Sequence, residues 1–309
     1  MILAIHLNPA IDRVYAVEKI NIGSVARPLE TTANAGGKAS NVSRVARLMD
    51  EDVIACGFIG GYSGDFIEND LNKLGIQTAF TRINGESRSC INIFDQSSGL
   101  STEVLEQGPE ISSNEQDAFI EQYDFLLDRS DLVSASGSLA SGLNSDFYNT
   151  LIQKAKNKNR PFLLDTSGHT LKQAIGAAPY LIKPNGDEIS EYVGSAKINQ
   201  DSIQHCLVQF QKKGIQLPVV SLGENGCLAA IQGDIFHFKH PALKVKNAVG
   251  SGDAFIAGCA VGLVRKKSHI DVIKLGIACG MANTQFFKTG VVSKALVEKY
   301  LSLIEVKKV

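Results

Sequence analysis

This chain lacks an excess of either charge, a long apolar run and any close pairing of cysteines. Across 309 residues, 31 Lys+Arg meet 32 Asp+Glu, a formal net charge of −1. Binding a polyanion needs a strong basic excess, so no nucleic-acid partner is expected, although a local phosphate site remains open. The longest apolar run, Ala254–Val264, is about half of the ~20 residues a membrane span needs, so no membrane partner is expected either. The stretch Met1–Leu7 carries no basic leader and no small-residue cleavage site, and reads as no signal peptide. Cys56, Cys90, Cys206, Cys227, Cys259 and Cys279 form no C-x-x-C, and the six histidines show no metal spacing. The cysteines read as reduced packing residues of a cytoplasmic protein. Proline is scarce as well, 8 residues against 28 glycines, and the placement of those glycines carries the chemistry.

Hydrophobic residues at 44% and charged residues at 20% describe a globule able to bury a sizeable core. Short apolar runs at Ile2–Leu7, Val53–Phe58, Asp131–Ala135, Pro161–Asp165, Tyr180–Lys183 and Pro218–Leu222 read as buried strands. Amphipathic stretches at Lys38–Met49, Asp65–Leu74, Glu115–Leu127, Ser145–Asn157 and Ser202–Lys213 read as the helices between them. This alternation predicts an α/β fold with a mainly parallel sheet and helices on both faces. Residues about 12–34 and 78–106 break the rhythm with alternating and β-branched stretches, as a small β lid would. After Gly250 the pattern is almost wholly helical, over Asp253–Arg265, His269–Phe287 and Lys294–Glu305. No repeat or linker divides the chain, so residues 1–309 read as one domain with an excursion.

Gly250-Ser251-Gly252-Asp253 leads directly into a small-residue helix. Backbone N–H groups free of side-chain bulk at a helix start form an anion-binding concavity, and Asp253 sits in the first turn. A carboxylate beside such a cradle can take a proton from a hydroxyl while the amides stabilise a phosphoryl group under attack. The same pattern suits a Gly-rich turn with a capping Asp, and both readings stay open on it alone. It is no Walker A loop, no dinucleotide fingerprint and no protein-kinase signature. Ala35-Gly36-Gly37-Lys38 with Asn41 combines glycines, a cation and an amide before the helix carrying Arg44 and Arg47, where a plain turn is the alternative. Lys183-Pro184-Asn185 with Glu188 ends a strand and opens a helix. Asn185 and Glu188 are spaced to hold a hydrated Mg²⁺ beside phosphates, and equally to form a capping box. Ser136-Gly137-Ser138 and Ser221-Leu222-Gly223-Glu224-Asn225-Gly226 follow further strands, where open α/β sheets place ligands. Arg27 and Arg88 lie in the two excursions.

Taken in order along the chain, these segments resemble the ribokinase-like carbohydrate kinases, in the phosphofructokinase-B branch. The resemblance also covers Leu7–Asp12, Gly57–Gly61, Ser87-Arg88, Thr102-Glu103 and Asp165–Gly168. It implies a three-layer sandwich with a β-sheet lid and an ATP- and Mg²⁺-dependent transfer to a ketohexose monophosphate. Asp253 would be the base, with Gly250, Ser251 and Gly252 as the anion hole. Asp12 and Asn41 would hold sugar hydroxyls, in a site also formed by Gly36, Gly37, Cys90, Ser136 and Ser138. Lys38, Arg88 and Arg27 would bind the phosphate already on the sugar. Lys183, Asn185, Ser221, Gly223, Glu224, Gly226 and Asn283 would meet ATP, with Asn283 on a helix lining the adenine pocket. Asn185 and Glu188 would position the metal through water.

Ala39 and Ser40 replace the family's usual Gly and Ile, which alters the floor of the sugar site. Arg88-Ser89-Cys90-Ile91 followed by Thr102–Pro109 resembles the tagatose-6-phosphate kinases, so tagatose 6-phosphate is the expected acceptor. Fructose 1-phosphate and fructose 6-phosphate are the alternatives, and a non-catalytic sugar-phosphate or nucleotide sensor is the alternative of another class. The β excursions could also pair two subunits into a homodimer.

Overall fold

The structure is a computed structural model describing residues 1–195 and 198–309. In chain order the strands are β1 (Ile2–His6), β2 (Ala10–Val17), β3 (Glu30–Gly36), β4 (Val53–Ile59), β5 (Gln77–Arg82), β6 (Arg88–Asp95) and β7 (Leu100–Leu105). They continue with β8 (Leu132–Ser136), β9 (Phe162–Asp165), β10 (Leu181–Ile182), β11 (Leu217–Ser221), β12 (Cys227–Ile231), β13 (Asp234–Lys239) and β14 (Glu305–Lys308). The helices are α1 (Lys38–Leu48), α2 (Gly61–Lys73), α3 (Ser113–Asp128), α4 (Phe147–Asn157) and α5 (Gly168–Gly176). The remainder are α6 (Gly186–Val193), α7 (Gln200–Lys212), α8 (Ser251–Val264), α9 (His269–Asn283) and α10 (Lys294–Leu301).

The large sheet runs β14-β13-β12-β11-β10-β9-β8-β1-β4-β5. It is parallel from β5 to β11 and antiparallel from β11 to β14. Alternate residues of one strand enter different cores. Ile2 and Ala4 of β1 join a cluster with α1, α8 and α9, while Leu3 and Ile5 join one with α3, α4 and α7. A strand covered on both faces carries apolar residues at every position, so the parallel strands read as unbroken apolar runs.

The expected lid is a second sheet of order β3-β2-β6-β7. Its two halves meet through the parallel pair β2–β6, in which Asp12 opposes Cys90. Two expectations need correction. Residues 78–82 belong to β5, the parallel edge of the large sheet, and not to the lid. The C-terminal stretch expected to be helical as far as Glu305 leaves its helix at Leu301, and Glu305–Lys308 pairs with β13 instead. Only Val306 of that strand is even partly buried, so pairing with β13 backbone decides its conformation rather than an apolar pattern. No helix among the described residues is long and apolar enough to cross a membrane.

Candidate active site

A cavity of about 450 Å³ opens where the carboxyl ends of β9, β10 and β11 meet the starts of α1, α6 and α8 beneath the small sheet. Asp12, Gly37, Lys38, Asn41, Cys90, Lys183, Asn185, Glu188, Ser221 and Gly250–Asp253 all line it. These come from six separated stretches of sequence, and the fold brings them to one place.

Asp253 lies in the first turn of α8 and is 6% exposed. Its Oδ2 accepts a 2.8 Å hydrogen bond from Asn41 Nδ2. Burial, and then the negative charge of Asp165, push its pKa up to about 6, against the pull of Asn41, Lys38 and Lys183. A buried carboxylate that titrates near neutrality suits proton abstraction at cellular pH. Gly250, the residue before α8, has φ +80, where an L side chain is strained. A Cβ there would also stand 3.2 Å from Thr289 Cβ.

Asp165, quoted above within a motif but given no role, organises the floor of the cavity. Its Oδ1 lies 3.4 Å from Lys183 Nζ and its Oδ2 lies 3.4 Å from Lys38 Nζ. Burial alone would raise the Asp165 pKa, but the two ammonium groups outweigh it and hold the carboxyl below its ordinary value. Asp165 in turn holds the Lys38 ammonium above the usual lysine range, against its partial burial. The available signal was a charged residue closing an otherwise apolar strand, Phe162–Asp165.

Asp12 reaches the cavity from β2 and packs on Gly36, where a Cβ would come within 2.1 Å of its Cγ. Burial raises the Asp12 pKa, with the Gly37 N–H, Arg44 and Arg88 opposing. Asn185 and Glu188 form the capping box of α6. The Asn185 N–H donates to Glu188 Oε2 and the Glu188 N–H to Asn185 Oδ1, each at 2.8 Å. They also line the cavity, so the capping and ligand readings coexist. Glu188 Oε1 takes no hydrogen bond among the described residues, leaving a hard oxygen of the kind Mg²⁺ uses when phosphates complete its shell. No group of three or more His, Cys, Asp or Glu among the described residues could hold a metal unaided.

Other expected residues stand elsewhere. Arg88 is held by main-chain carbonyls, with Nε and Nη2 donating to Asn8 O at 3.2 and 3.1 Å and Nη1 to Glu106 O at 3.0 Å. It lies beside the cavity rather than in its lining, and Arg27 is exposed between β2 and β3. Ser136 is buried with Oγ unpartnered among the described residues, and Ser138 Oγ is 3.5 Å from Asn8 Nδ2; neither lines the cavity. Gly223 and Glu224 are exposed in a short 3₁₀ turn. Gly226 (φ +81) is a packing residue, since a Cβ there would lie 1.9 Å from Phe238 O. Asn283, on the helix expected to line the adenine pocket, is held by main-chain groups. It is 1% exposed, its Nδ2 donates to Val249 O at 2.9 Å, and its Oδ1 accepts from the N–H groups of Gly290 and Val291. It clamps the Val249–Gly250 turn from behind.

Residues 5–295 match the family model described as pfkB family carbohydrate kinase. A putative phosphofructokinase from Staphylococcus aureus is 28% identical, with TM-score 0.87 over 100% of this chain and 99% of that one. A possible 1-phosphofructokinase from Thermotoga maritima is 24% identical, with TM-score 0.91 over 100% and 99%. Phosphofructokinase-2 from Escherichia coli, in complex with potassium, is 22% identical, with TM-score 0.90 over 97% and 98%. At 24% and 22% identity, the last two are matches of fold.

Proposed function

Because the chain belongs to the pfkB family of carbohydrate kinases, we propose that it transfers the γ-phosphoryl group of ATP to a ketohexose monophosphate, with tagatose 6-phosphate as the acceptor. The observation that carries the reading is Asp253: a buried carboxylate with a pKa of about 6, hydrogen-bonded to Asn41 at the Gly250–Gly252 turn. The acceptor hydroxyl gives its proton to Asp253 as its oxygen attacks the γ-phosphorus, and the bond from that phosphorus to the β-phosphate oxygen breaks to release ADP. The N–H groups of the turn then face the charge developing on the phosphoryl oxygens. Lys183 supports the nucleotide phosphates, and Lys38 the phosphate on the sugar, with Asp165 fixing both. Arg88 has two N–H donors left beyond its three main-chain bonds and adds them at the sugar phosphate. Asp12 orients a sugar hydroxyl. Asn185 and Glu188 would hold Mg²⁺ through water, and the ion would neutralise charge on the phosphate oxygens.

The choice of sugar rests on Arg88–Ile91 and Thr102–Pro109. A fructose phosphate is the second reading, favoured by the phosphofructokinase name of the Staphylococcus aureus relative. Turnover of ATP with tagatose 6-phosphate, fructose 1-phosphate and fructose 6-phosphate decides between them, with Asp253→Asn alongside. The variant should lose the roughly 10²- to 10⁴-fold that a general base supplies. Turnover with none of the three would leave the sensor reading standing.

Six unpaired, buried cysteines support a cytoplasmic place for the protein. The small sheet exposes Val104 and Leu105 on its edge strand β7, at 55% and 60%, and such an edge supports pairing in a homodimer. Light scattering at two concentrations checks that state.

A further inference from the structure

We infer that Arg44 is a positioning residue for phosphoryl transfer: its guanidinium holds the side-chain amide of Asn41 so that Nδ2, not Oδ1, faces Asp253. The inference rests on the reading of Asp253 as the base. Arg44 is 3% exposed, one helical turn beyond Asn41 on α1. Its Nη1 donates to Asn41 Oδ1 at 3.0 Å and to Thr289 O at 3.2 Å, and its Nη2 to Ala35 O at 2.6 Å. An amide whose oxygen is bound to a cation presents its NH₂ to the other side, where the Asp253 carboxylate lies. An Asn41 free to turn could set its oxygen against that carboxylate and repel it.

The other contacts extend the same role. Thr289 precedes Gly290, whose N–H bonds Asn283 Oδ1, and Asn283 Nδ2 bonds Val249 O next to the anion turn. A Cβ at Gly290 would stand 2.7 Å from Arg44 Nη1 and 2.8 Å from Asn41 Oδ1, so backbone closes over the pair. Arg44 therefore ties the partner of the base to the segment that backs the turn. Stability gives a poor account of this cation. Its Nε finds no partner among the described residues, and apolar replacement of a buried ion is often neutral or stabilising.

The charged and titratable groups around the pair are few. Asp12 of β2, Asp70 of α2, His6 of β1 and Lys288 interact with Arg44. His6 is kept neutral, its pKa pushed down to about 3 by burial and then by Arg44. Asp165, Lys38 and Lys183 act on Asp253. Asn41 gives Asp253 its side-chain hydrogen bond and so lowers its proton affinity.

The test is a double-mutant cycle of Arg44→Lys and Asn41→Ala, read as turnover from about pH 5 to 9, with Asp253→Asn alongside. Lysine keeps the charge but lacks the fork that meets Asn41, Thr289 and Ala35 together. Arg44→Lys should lower kcat about 10- to 100-fold, the scale of a misplaced catalytic group, with the KM for ATP little changed. It should also move the acid limb of kcat to higher pH, because a carboxylate without its donor holds the proton more tightly. On the Asn41→Ala background the same substitution should cost almost nothing more. Equal losses on both backgrounds, or an acid limb that stays in place, would overturn the inference. If thermal melts show Arg44→Lys unfolded, Arg44→Gln carries the same cycle; failure of both to fold makes Arg44 a structural cation and also overturns it. An Asp253→Asn enzyme with wild-type turnover would sink the base reading instead. An inactive Asp253→Asn with additive Arg44 and Asn41 effects sinks the positioning role alone.

Discussion

Asp165 Oδ1 stands 3.4 Å from Lys183 Nζ, and both side chains are almost fully buried, 3% and 7% exposed. The same carboxylate reaches Lys38 with its second oxygen, so one negative charge holds two cations that approach from different elements. Its pKa is depressed, so it stays ionised until pH falls below the ordinary carboxylate range. The bridge therefore persists across any pH at which the enzyme works.

Asp165→Asn should cost about 3–5 kcal/mol, the usual penalty for leaving a buried ion, here Lys183, without its partner. It should also lower the proton affinity of Asp253, because the Asp165 charge is one of the causes that raise it. The acid limb of the rate profile would then move to lower pH. Denaturant melts measure the first effect and turnover against pH the second. Lost stability with an unmoved limb would remove Asp165 from the electrostatics of the base.

Asp253→Asn should cut turnover by roughly 10²- to 10⁴-fold and yet stabilise the protein. The Asp253 pKa rises from 3.8 to about 6 on folding, so the folded state binds the proton more tightly. Ionised Asp253 thus opposes folding above about pH 6, and this burden fades as pH falls from 6 towards 3.8. That rise corresponds to about 3 kcal/mol, reduced by whatever Lys38 and Lys183 lose when the charge goes. The variant should melt several degrees higher than wild type near pH 8, with the gap closing near pH 4. A lower melting point at pH 8 would show that the carboxylate supports the fold instead.

Much of this architecture was legible because parallel strands buried on both faces leave unbroken apolar runs, as β1, β4 and β9 do. The antiparallel end was not. β13 begins and ends on Asp234 and Lys239, and the edge strand β14 is mostly polar and exposed, so neither leaves such a signature. The site divides in the same way. Asp253, Lys183, Asn185 and Glu188 were readable because a strand end or helix start announces each. The main-chain bonds of Arg88 and Asn283 were not readable, because their partners are main-chain groups of Asn8, Glu106, Val249 and Gly290, and a carbonyl or N–H leaves no mark in a sequence.

Gly226→Ala separates packing from ligand binding in the turn after β11. An added methyl would meet Phe238 O, at a backbone conformation of φ +81. The melting temperature should fall, while kcat and the KM for ATP of the folded fraction stay near wild type. A KM for ATP raised severalfold at unchanged stability would return Gly226 to the nucleotide.

Asn283→Ala distinguishes a clamp from an adenine contact. The substitution leaves Val249 O, Gly290 N and Val291 N without their partner, and the buried Gly290 N–H alone costs roughly 1–3 kcal/mol when unpaired. The Val249–Gly250 turn loses its backing just before the residues that face the transferred phosphoryl group. The loss should therefore fall on kcat and on the melting temperature, with the KM for ATP nearly constant, in steady-state assays at saturating sugar phosphate. A clamp acts on the geometry of transfer, whereas a contact acts on the affinity for the base. The opposite split, with KM raised and kcat kept, would place Asn283 against the nucleotide after all.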